Sequence, residues 1–156
     1  MLWLGAAVSS AASRGLSAGR QPPDFSAPDL TGATQSLKAY RGKIVVLHFW
    51  ATWCPYCRGE VPKLKEIQSR WGEQQVKILA VSVDQDLAKL RQFVQEQHLS
   101  YTVIWEQHAE DMLSELFNVS GLPTTYLIGR DGVIVNRFAG ASDLVAAVQR
   151  AVKQGS

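Results

Sequence analysis

The chain contains little cysteine: only two of its 156 residues are cysteines, Cys54 and Cys57. A disulfide between them would close almost no loop and add little stability, because the stabilising effect of a disulfide grows with loop length. A structural zinc site usually takes four cysteine or histidine ligands, and the chain adds only three scattered histidines. We therefore expect neither a structural disulfide nor a metal site, and redox chemistry is the leading interpretation of the Cys-x-x-Cys spacing.

The chain also lacks a charge excess and a long apolar run. Sixteen Lys and Arg residues against fourteen Asp and Glu residues give a net charge of +2. Because nucleic-acid binding usually needs a clustered basic surface, no nucleic-acid partner is expected. No apolar stretch approaches the roughly 20 residues that a membrane-spanning helix needs. With 46% hydrophobic and 19% charged residues, the composition predicts one globular domain with a substantial core.

Residues 1–21 differ from the rest of the chain. They carry no charged side chain before Arg14, and an apolar stretch over residues 2–8 is followed by small residues over 9–13. This pattern resembles a secretory signal with a small-residue cleavage zone, although no Lys or Arg precedes the apolar stretch. A signal peptide, the remnant of a membrane anchor and a disordered leader are the three interpretations. We expect the folded domain to span residues 22–156.

The hydrophobic pattern of that domain predicts alternating strands and helices. The run Ile44–Trp50 consists of strand-forming apolar residues, as in a strand covered on both faces. It leads into Cys54 and Pro55, and proline fits the first turn of a helix. After a lead-in hairpin over Phe25–Tyr40, the predicted elements are strands over Ile44–Trp50, Val76–Val83, Tyr101–Trp105, Thr124–Ile128 and Val133–Phe138, and helices beginning near Pro55, Leu87, Asp111 and Leu144. Asp84 and Asp86 are candidate caps of the second helix. The order is that of an α/β fold ending in a hairpin.

The placement of the two cysteines predicts thiol–disulfide exchange. The nucleophile in this reaction is a thiolate, and the N-terminus of a helix stabilises an anion through its free N–H groups and its dipole. Cys54 is expected at that position, with Cys57 one turn later on the same face. Cys54 would attack a partner disulfide, and Cys57 would then resolve the mixed disulfide. An inert pair of small apolar residues is the alternative.

Two segments carry a family resemblance. Phe49–Pro62 (FWATWCPYCRGEVP) resembles the active-site signature of the thioredoxin superfamily, and is most similar to its TlpA-like branch, which includes the ResA and CcmG (DsbE) thiol–disulfide reductases. Gly121–Ile128 (GLPTTYLI), followed by Arg130–Gly132, is similar to the cis-proline loop and hairpin of that branch. The resemblance extends over residues 24–153. It implies a thioredoxin fold, with a central mixed β-sheet flanked by helices and an N-terminal hairpin extension.

The same resemblance implies a substrate-binding surface. Pro123 would follow a cis peptide bond and lie beside the cysteines, leaving the backbone of Leu122 free to pair with an extended substrate segment. Trp53, Pro55 and Tyr56 would contribute to the surface that contacts the substrate. The alternative for Pro123 is an ordinary trans proline at the start of a strand.

Two further residues are candidates for proton transfer. Glu60 lies three residues after Cys57, hence on the same helix face, and matches a glutamate of the ResA-type branch. It is either a group that assists the thiols or a solvated helix residue. His48 stands where thioredoxins carry aspartate and many TlpA-like proteins asparagine. A neutral imidazole there could accept the Cys57 proton, or it could be a core histidine satisfied by a backbone hydrogen bond.

The resemblance implies a reductase of protein disulfides outside the cytoplasm, often of apocytochrome c during haem attachment. A membrane or soluble thiol carrier would supply electrons, and neither a cofactor nor a metal is expected. We expect a monomer in the periplasm or another extracytoplasmic space, with or without a membrane anchor, while a cytoplasmic location stays open. The Pro55-Tyr56 dipeptide is common in glutaredoxins, which are less reducing, so an oxidase or isomerase is the alternative. A non-catalytic binding module is a third interpretation. A peroxidase is disfavoured because that branch lacks this Cys-x-x-Cys arrangement.

Overall fold

The computed structural model describes residues 15–140 and 142–154. Within these residues, seven strands and four helices follow one another in the order that the sequence predicts. The strands are β1 (Ser26–Pro28), β2 (Thr34–Ser36), β3 (Ile44–Trp50), β4 (Val76–Ser82), β5 (Thr102–Trp105), β6 (Thr124–Ile128) and β7 (Ile134–Ala139). The helices are α1 (Pro55–Gln75), α2 (Leu87–Glu96), α3 (Leu113–Leu116) and α4 (Leu144–Lys153). Two short 3-10 turns, Lys38–Tyr40 and Glu106–His108, were not predicted.

Five strands form a mixed sheet in the order β5-β4-β3-β6-β7. β3 pairs parallel with β4 and antiparallel with β6, and β6 and β7 form the closing hairpin. The predicted α/β fold with a central mixed sheet is thereby confirmed. β1 and β2 form a separate antiparallel hairpin that reaches the edge of the sheet, where Asp29 bridges to Ile104 of β5. This covers part of an edge that would otherwise expose unpaired backbone groups.

The centre of the sheet is buried on both faces, which explains why β3 shows no alternation of polar and apolar residues. All seven residues of β3 are buried. Ile44, Val46 and Trp50 belong to the core cluster that also holds residues of α1, α2 and α4. Val45 and its alternate neighbours point to the other face, where the second cluster surrounds Phe117. Cys54, where the chain passes from sheet to helix, is itself a member of the first cluster.

Helix α1 follows the active-site turn. Pro55 occupies its first turn, Pro62 lies inside it, and its helical geometry breaks at Gly72, where φ is +66°. That backbone conformation favours glycine, because glycine lacks a Cβ atom. No helix within the described ranges is long and apolar enough to cross a membrane.

The described part of the predicted leader packs against the domain. The Gly19 N–H donates to the Ile134 carbonyl at 2.8 Å, and the Ile134 N–H donates to the Arg20 carbonyl at 2.9 Å. The Leu16 N–H donates to the hydroxyl of Tyr126 at 3.0 Å. Within the described residues, positions 16–20 thus contact the fold, where two of their backbone groups pair with the edge of β7. The prediction of a signal or anchor over residues 1–14 lies outside the described residues.

Candidate active site

Cys54 is the N-cap of α1. Its backbone is extended (φ −89°, ψ 113°), and its Sγ accepts the N–H of Cys57 at 3.2 Å. The position is that predicted from the sequence. A helix N-terminus supplies unpaired N–H groups and a positive dipole end, both of which stabilise a thiolate. Both cysteines are free thiols, and both are buried, with 5% and 1% of their surface exposed.

Cys57 has a different environment from Cys54. Burial, the hydrogen bond with Cys54 and the nearby charges of Cys54 and Glu60 raise the pKa of Cys57 to about 12, and burial is the largest cause. Cys57 is therefore a thiol at neutral pH. The pair is asymmetric: one sulfur sits at the helix N-terminus and accepts an N–H, whereas the other is deeper and must lose a proton before it can attack.

A hydrogen-bond cluster around Asp84 holds the turn between β3 and α1. The Asp84 carboxylate accepts the Thr52 N–H at 3.1 and 3.2 Å and the hydroxyls of Thr52 and Ser82 at 2.6 Å each. Only 2% of Asp84 is exposed. Asp86, not Asp84, caps α2, by accepting the Lys89 N–H. The predicted capping pair is thus corrected, because Asp84 lies at the carboxyl end of β4, beside the strand that leads to Cys54.

A groove of about 390 Å³ runs beside Cys54. Its walls come from the turn before α1, the end of β4, helix α3 and the loop before β6. Its lining residues are Trp53, Cys54, Pro55, Val83, Ser114, Val119, Ser120, Gly121 and Leu122, none of them charged. Trp53 and Tyr56 are 64% and 71% exposed, unusually high for large aromatic side chains. The arrangement can receive an extended, uncharged segment next to the Cys54 sulfur.

The loop before β6 forms one side of this groove. The peptide bond between Leu122 and Pro123 is cis. Within residues 15–140 and 142–154 no partner bonds the backbone N–H or carbonyl of Leu122. Pro123 is buried, its carbonyl accepts the Gly140 N–H at 2.8 Å, and the Thr124 hydroxyl donates to the Gly121 carbonyl at 2.7 Å. The loop is fixed on both sides of Leu122, while Leu122 itself keeps its backbone groups available.

His48 lies on the sheet face that α1 covers, the face of Cys57. It is 1% exposed and stands opposite Thr125 in the register of β3 and β6, with 2.8 Å between His48 Nδ1 and the Thr125 Oγ1. Burial lowers the pKa of His48 to about 4, so the imidazole is neutral near neutral pH. Its partner is a side-chain hydroxyl, not the backbone group that the core-histidine alternative assumed. Nε2 can accept a proton only in the tautomer whose Nδ1–H donates to Thr125.

Glu60 is not the solvated helix residue of the alternative interpretation. It is 3% exposed, and its Oε1 lies 3.1 Å from the Nζ of Lys63. Its negative charge contributes to the raised pKa of Cys57. Because an unpaired buried charge is strongly unfavourable, the ion pair with Lys63 offsets part of the cost of burying the Glu60 carboxylate.

Sequence reasoning did not identify Glu106. This residue is 1% exposed, its Oε1 accepts the hydroxyl of Ser114 at 2.6 Å, and within the described residues its Oε2 has no partner. Burial raises the pKa of Glu106 against the opposing effect of its hydrogen bonds with Ser114. Ser114 lines the groove. The only sequence signal was a glutamate directly after a predicted strand, which does not by itself indicate burial.

No group of three or more His, Cys, Asp or Glu side chains in the described part of the chain could hold a metal ion.

Comparison with known proteins places this geometry in a family. The model of the AhpC/TSA family matches residues 18–137. The chain is 35% identical over 122 residues to the thiol-disulfide oxidoreductase ResA of Geobacillus kaustophilus, covering 78% of this chain and 69% of that protein. It is 33% identical over 129 residues to the thioredoxin-like protein YneN of Bacillus subtilis, covering 81% of this chain and 74% of that protein.

Solved structures show the same relationship. A protein assigned as the thiol:disulfide interchange protein DsbE of Chlorobium tepidum superposes with a TM-score of 0.76 at 27% identity, covering 89% of this chain and 97% of that one. The thioredoxin domain of a thiol-disulfide oxidoreductase from Bacteroides vulgatus gives 0.78 at 26% identity, covering 88% and 99%. The chain therefore belongs to the AhpC/TSA family, within which it is a thioredoxin-like thiol–disulfide oxidoreductase of the ResA/DsbE type.

Proposed function

We propose that the protein reduces disulfide bonds of partner proteins through a cycle of Cys54 and Cys57. The observation that carries the proposal is the asymmetry of the pair: Cys54 accepts an N–H at the helix N-terminus beside an uncharged groove, whereas Cys57 is deeper and protonated. An attacking sulfur must be accessible as a thiolate, and a resolving sulfur must be held back until the mixed disulfide forms.

The cycle conserves atoms and electrons. The Cys54 thiolate attacks one sulfur of the partner disulfide, that S–S bond breaks, and the second partner sulfur leaves as a thiolate that takes up a proton. Cys57 then loses its proton and attacks the Cys54 sulfur, which releases the first partner sulfur. The partner gains two electrons, and the protein is left with a Cys54–Cys57 disulfide. A thiol carrier of lower potential must reduce that disulfide before the next turnover.

The partner segment binds along the groove. The free N–H and carbonyl of Leu122 pair with an extended backbone, as in strand addition to a sheet. Trp53, Pro55 and Tyr56 contact the residues that flank the partner cysteine. The cis peptide bond before Pro123 belongs to this surface. Affinity then comes from backbone hydrogen bonds and apolar contacts and not from charge, because the groove lining carries none.

His48 assists the proton transfer of Cys57, and Glu60 tunes the ionisation of Cys57 through its negative charge, which raises the pKa of that thiol. Neutral His48, on the face of Cys57, accepts its proton through Nε2 in the tautomer that donates to Thr125. Replacing His48 by asparagine should slow the resolution of the mixed disulfide, most strongly at low pH. An unchanged resolution rate between about pH 5 and about pH 9 would remove His48 from the mechanism.

The direction of the reaction is tested by the reduction potential of the Cys54–Cys57 pair. The potential is measured from the fluorescence of Trp53 in a series of thiol–disulfide buffers. A potential near or below about −250 mV supports the reductase, because thioredoxin lies in that range. A potential above about −150 mV contradicts it and favours the oxidase or isomerase, the alternative that the Pro55-Tyr56 dipeptide suggests. An absence of any transition would favour a binding module without turnover.

The physiological setting is proposed from the resemblance and from the first residues of the chain. Residues 1–21 direct the protein, as a monomer, to an extracytoplasmic space, where it reduces apocytochrome c cysteines before haem attachment. The test is alkylation of Cys54 in intact spheroplasts by a membrane-impermeant maleimide, together with reduction of a disulfide-bonded peptide carrying a Cys-x-x-Cys-His sequence. Protection of Cys54 in intact spheroplasts with labelling after lysis would contradict the location without touching the chemistry.

A further inference from the structure

Lys63 joins two parts of the active site. Its Nζ lies 3.1 Å from Glu60 Oε1 and donates to the Ser142 carbonyl at 2.7 Å. The side chain of Lys63 is 37% exposed, whereas that of Glu60 is 4% exposed. An ammonium at the protein surface is thus held against a buried carboxylate and a backbone carbonyl. Within the described residues, Lys63 is the ion-pair partner of Glu60.

The chain that Lys63 reaches also contacts the loop before β6. Gly140, at the end of β7, donates its N–H to the Pro123 carbonyl at 2.8 Å. Ser142 supplies the carbonyl that Lys63 binds. One short stretch after β7 therefore contacts both the loop that lines the groove and, through Lys63, the helix that carries the cysteines.

Glu60 connects Lys63 to the chemistry. It is three residues after Cys57 and three before Lys63, so all three lie on one face of α1. The negative charge of Glu60 opposes ionisation of Cys57. A positive charge held on that carboxylate offsets the opposition, and it fixes the carboxylate in one place.

We propose that Lys63 is a positioning residue that acts through Glu60: it holds the Glu60 carboxylate and offsets its charge, so that Cys57 can ionise and resolve the mixed disulfide. The proposal rests on the reductase cycle proposed above. Lys63 touches neither sulfur, and no step of the cycle passes through its own atoms.

The other charged and titratable groups around Cys57 do not cancel the effect of Lys63 on Glu60. They are Cys54 at the N-cap of α1, Glu60 on α1 and His48 on β3. Among them, Cys54 and Glu60 act on Cys57 by charge. His48 is neutral near neutral pH, and the loop before β6 contributes no charged residue between 119 and 125.

The test compares Lys63→Met with a matched control, Lys65→Met. Lys65 lies on the same helix and binds a different backbone carbonyl, that of Gln97. The reduced protein is mixed with a disulfide-bonded peptide, the reaction is quenched with acid and alkylated, and the mixed disulfide is followed by mass spectrometry between about pH 5 and about pH 9.

Lys63→Met should slow resolution roughly threefold to fivefold near neutral pH, the range expected for a partly exposed ion pair, and should move the pH profile to higher pH. Lys65→Met should match the wild type. Lys63→Arg, which keeps the charge, should restore most of the rate. In a Glu60→Gln background, Lys63→Met should change the rate less than about 1.5-fold, because the carboxylate it serves is gone.

Three outcomes would overturn the proposal: equal rates in Lys63→Met and Lys65→Met, no recovery in Lys63→Arg, or an undiminished slowing in the Glu60→Gln background. A merely structural role of Lys63 would lower the unfolding midpoint without shifting the pH profile, and that result also overturns it. Failure of the wild type to reduce the peptide would instead contradict the reductase itself, so the two failures are distinguishable.

Discussion

Burial of His48 makes a quantitative prediction about stability and pH. Its pKa is about 4 in the folded protein against an ordinary value of 6.5. In the unfolded chain the imidazole takes up a proton below about pH 6.5, whereas in the folded protein it does so only below about pH 4. Because the unfolded state binds more protons between these values, the free energy of unfolding falls as the pH falls through this window. Above both pKa values the imidazole is neutral in the folded and the unfolded state, so its burial carries no electrostatic penalty there.

The size of the effect follows from the two pKa values. Each unit of difference corresponds to about 1.4 kcal/mol, which gives about 2 kcal/mol of lost stability at about pH 5 relative to about pH 8, and about 3 kcal/mol well below pH 4. This is a large part of the net stability of an ordinary domain. It is also opposite in sign to the contribution of Glu106, whose raised pKa favours the folded state at low pH.

The assay isolates His48 from such other groups. Urea unfolding of the wild type and of His48→Asn is measured at about pH 5 and about pH 8, and the two pH-dependent differences are subtracted. The loss of the Thr125 contact is common to both pH values and cancels. We expect the wild type to lose about 2 kcal/mol more than the variant on acidification.

His98→Asn is the matched control. His98 is exposed and has a φ of +51°, a conformation that asparagine tolerates. It should keep the pH dependence of the wild type. If His48→Asn also keeps it, the imidazole is not held neutral by burial, and the argument that it serves as a neutral proton acceptor fails with it.

Three further predictions follow from the site. Thr52→Val should lower the free energy of unfolding by about 1.5 to 3 kcal/mol, because it removes a hydrogen bond to the buried Asp84 carboxylate. The control Thr102→Val, at a half-buried strand position, should change that free energy far less. Equal losses for the two variants in chemical denaturation would contradict the role of Asp84. Cys57→Ser should accumulate a mixed disulfide with a peptide on a non-reducing gel, whereas Cys54→Ser should not; trapping by Cys54→Ser would reverse the assigned roles. Glu106→Gln should be stabilising in urea unfolding well above the ordinary pKa of 4.5 and lose that advantage below it, because the folded state disfavours the charged form; an advantage that is independent of pH would contradict burial as the cause.

Most of the fold could be predicted because its signals are local. The uninterrupted run of β3 indicates a strand with both faces covered, and Cys54-Pro55 marks the beginning of α1. The bounds of the strands differ by one residue at several ends, where fraying makes any boundary uncertain by that amount. The packing of Leu16–Arg20 against β7 could not be predicted, since it depends on an unpaired strand edge that exists only in the assembled sheet.

The candidate site divides in the same way. Cys54 and Cys57 are apparent from the spacing of two residues in one helix. The partners of Asp84, Glu106 and Lys63 lie 32, 8 and 79 residues away in the chain, and no periodicity within one element reports such contacts. The cluster at Asp84 and the link at Lys63 could be recognised only after the topology had brought the ends of β4, β7 and α1 together.

These long-range contacts explain how the site can keep Cys57 protonated and still use it. A thiol whose pKa is raised to about 12 by burial is a poor nucleophile at neutral pH, so unassisted resolution would be slow and the mixed disulfide long-lived. The structure places a neutral imidazole on the same sheet face as Cys57 and a compensated carboxylate one turn along its helix. Burial prevents premature attack by Cys57. Once the mixed disulfide has formed, His48 accepts the Cys57 proton, and Lys63 offsets the Glu60 charge that opposes its ionisation. Because His48 and Lys63 act on the ionisation of Cys57 in different ways, replacing both should prolong the mixed disulfide more than either replacement alone.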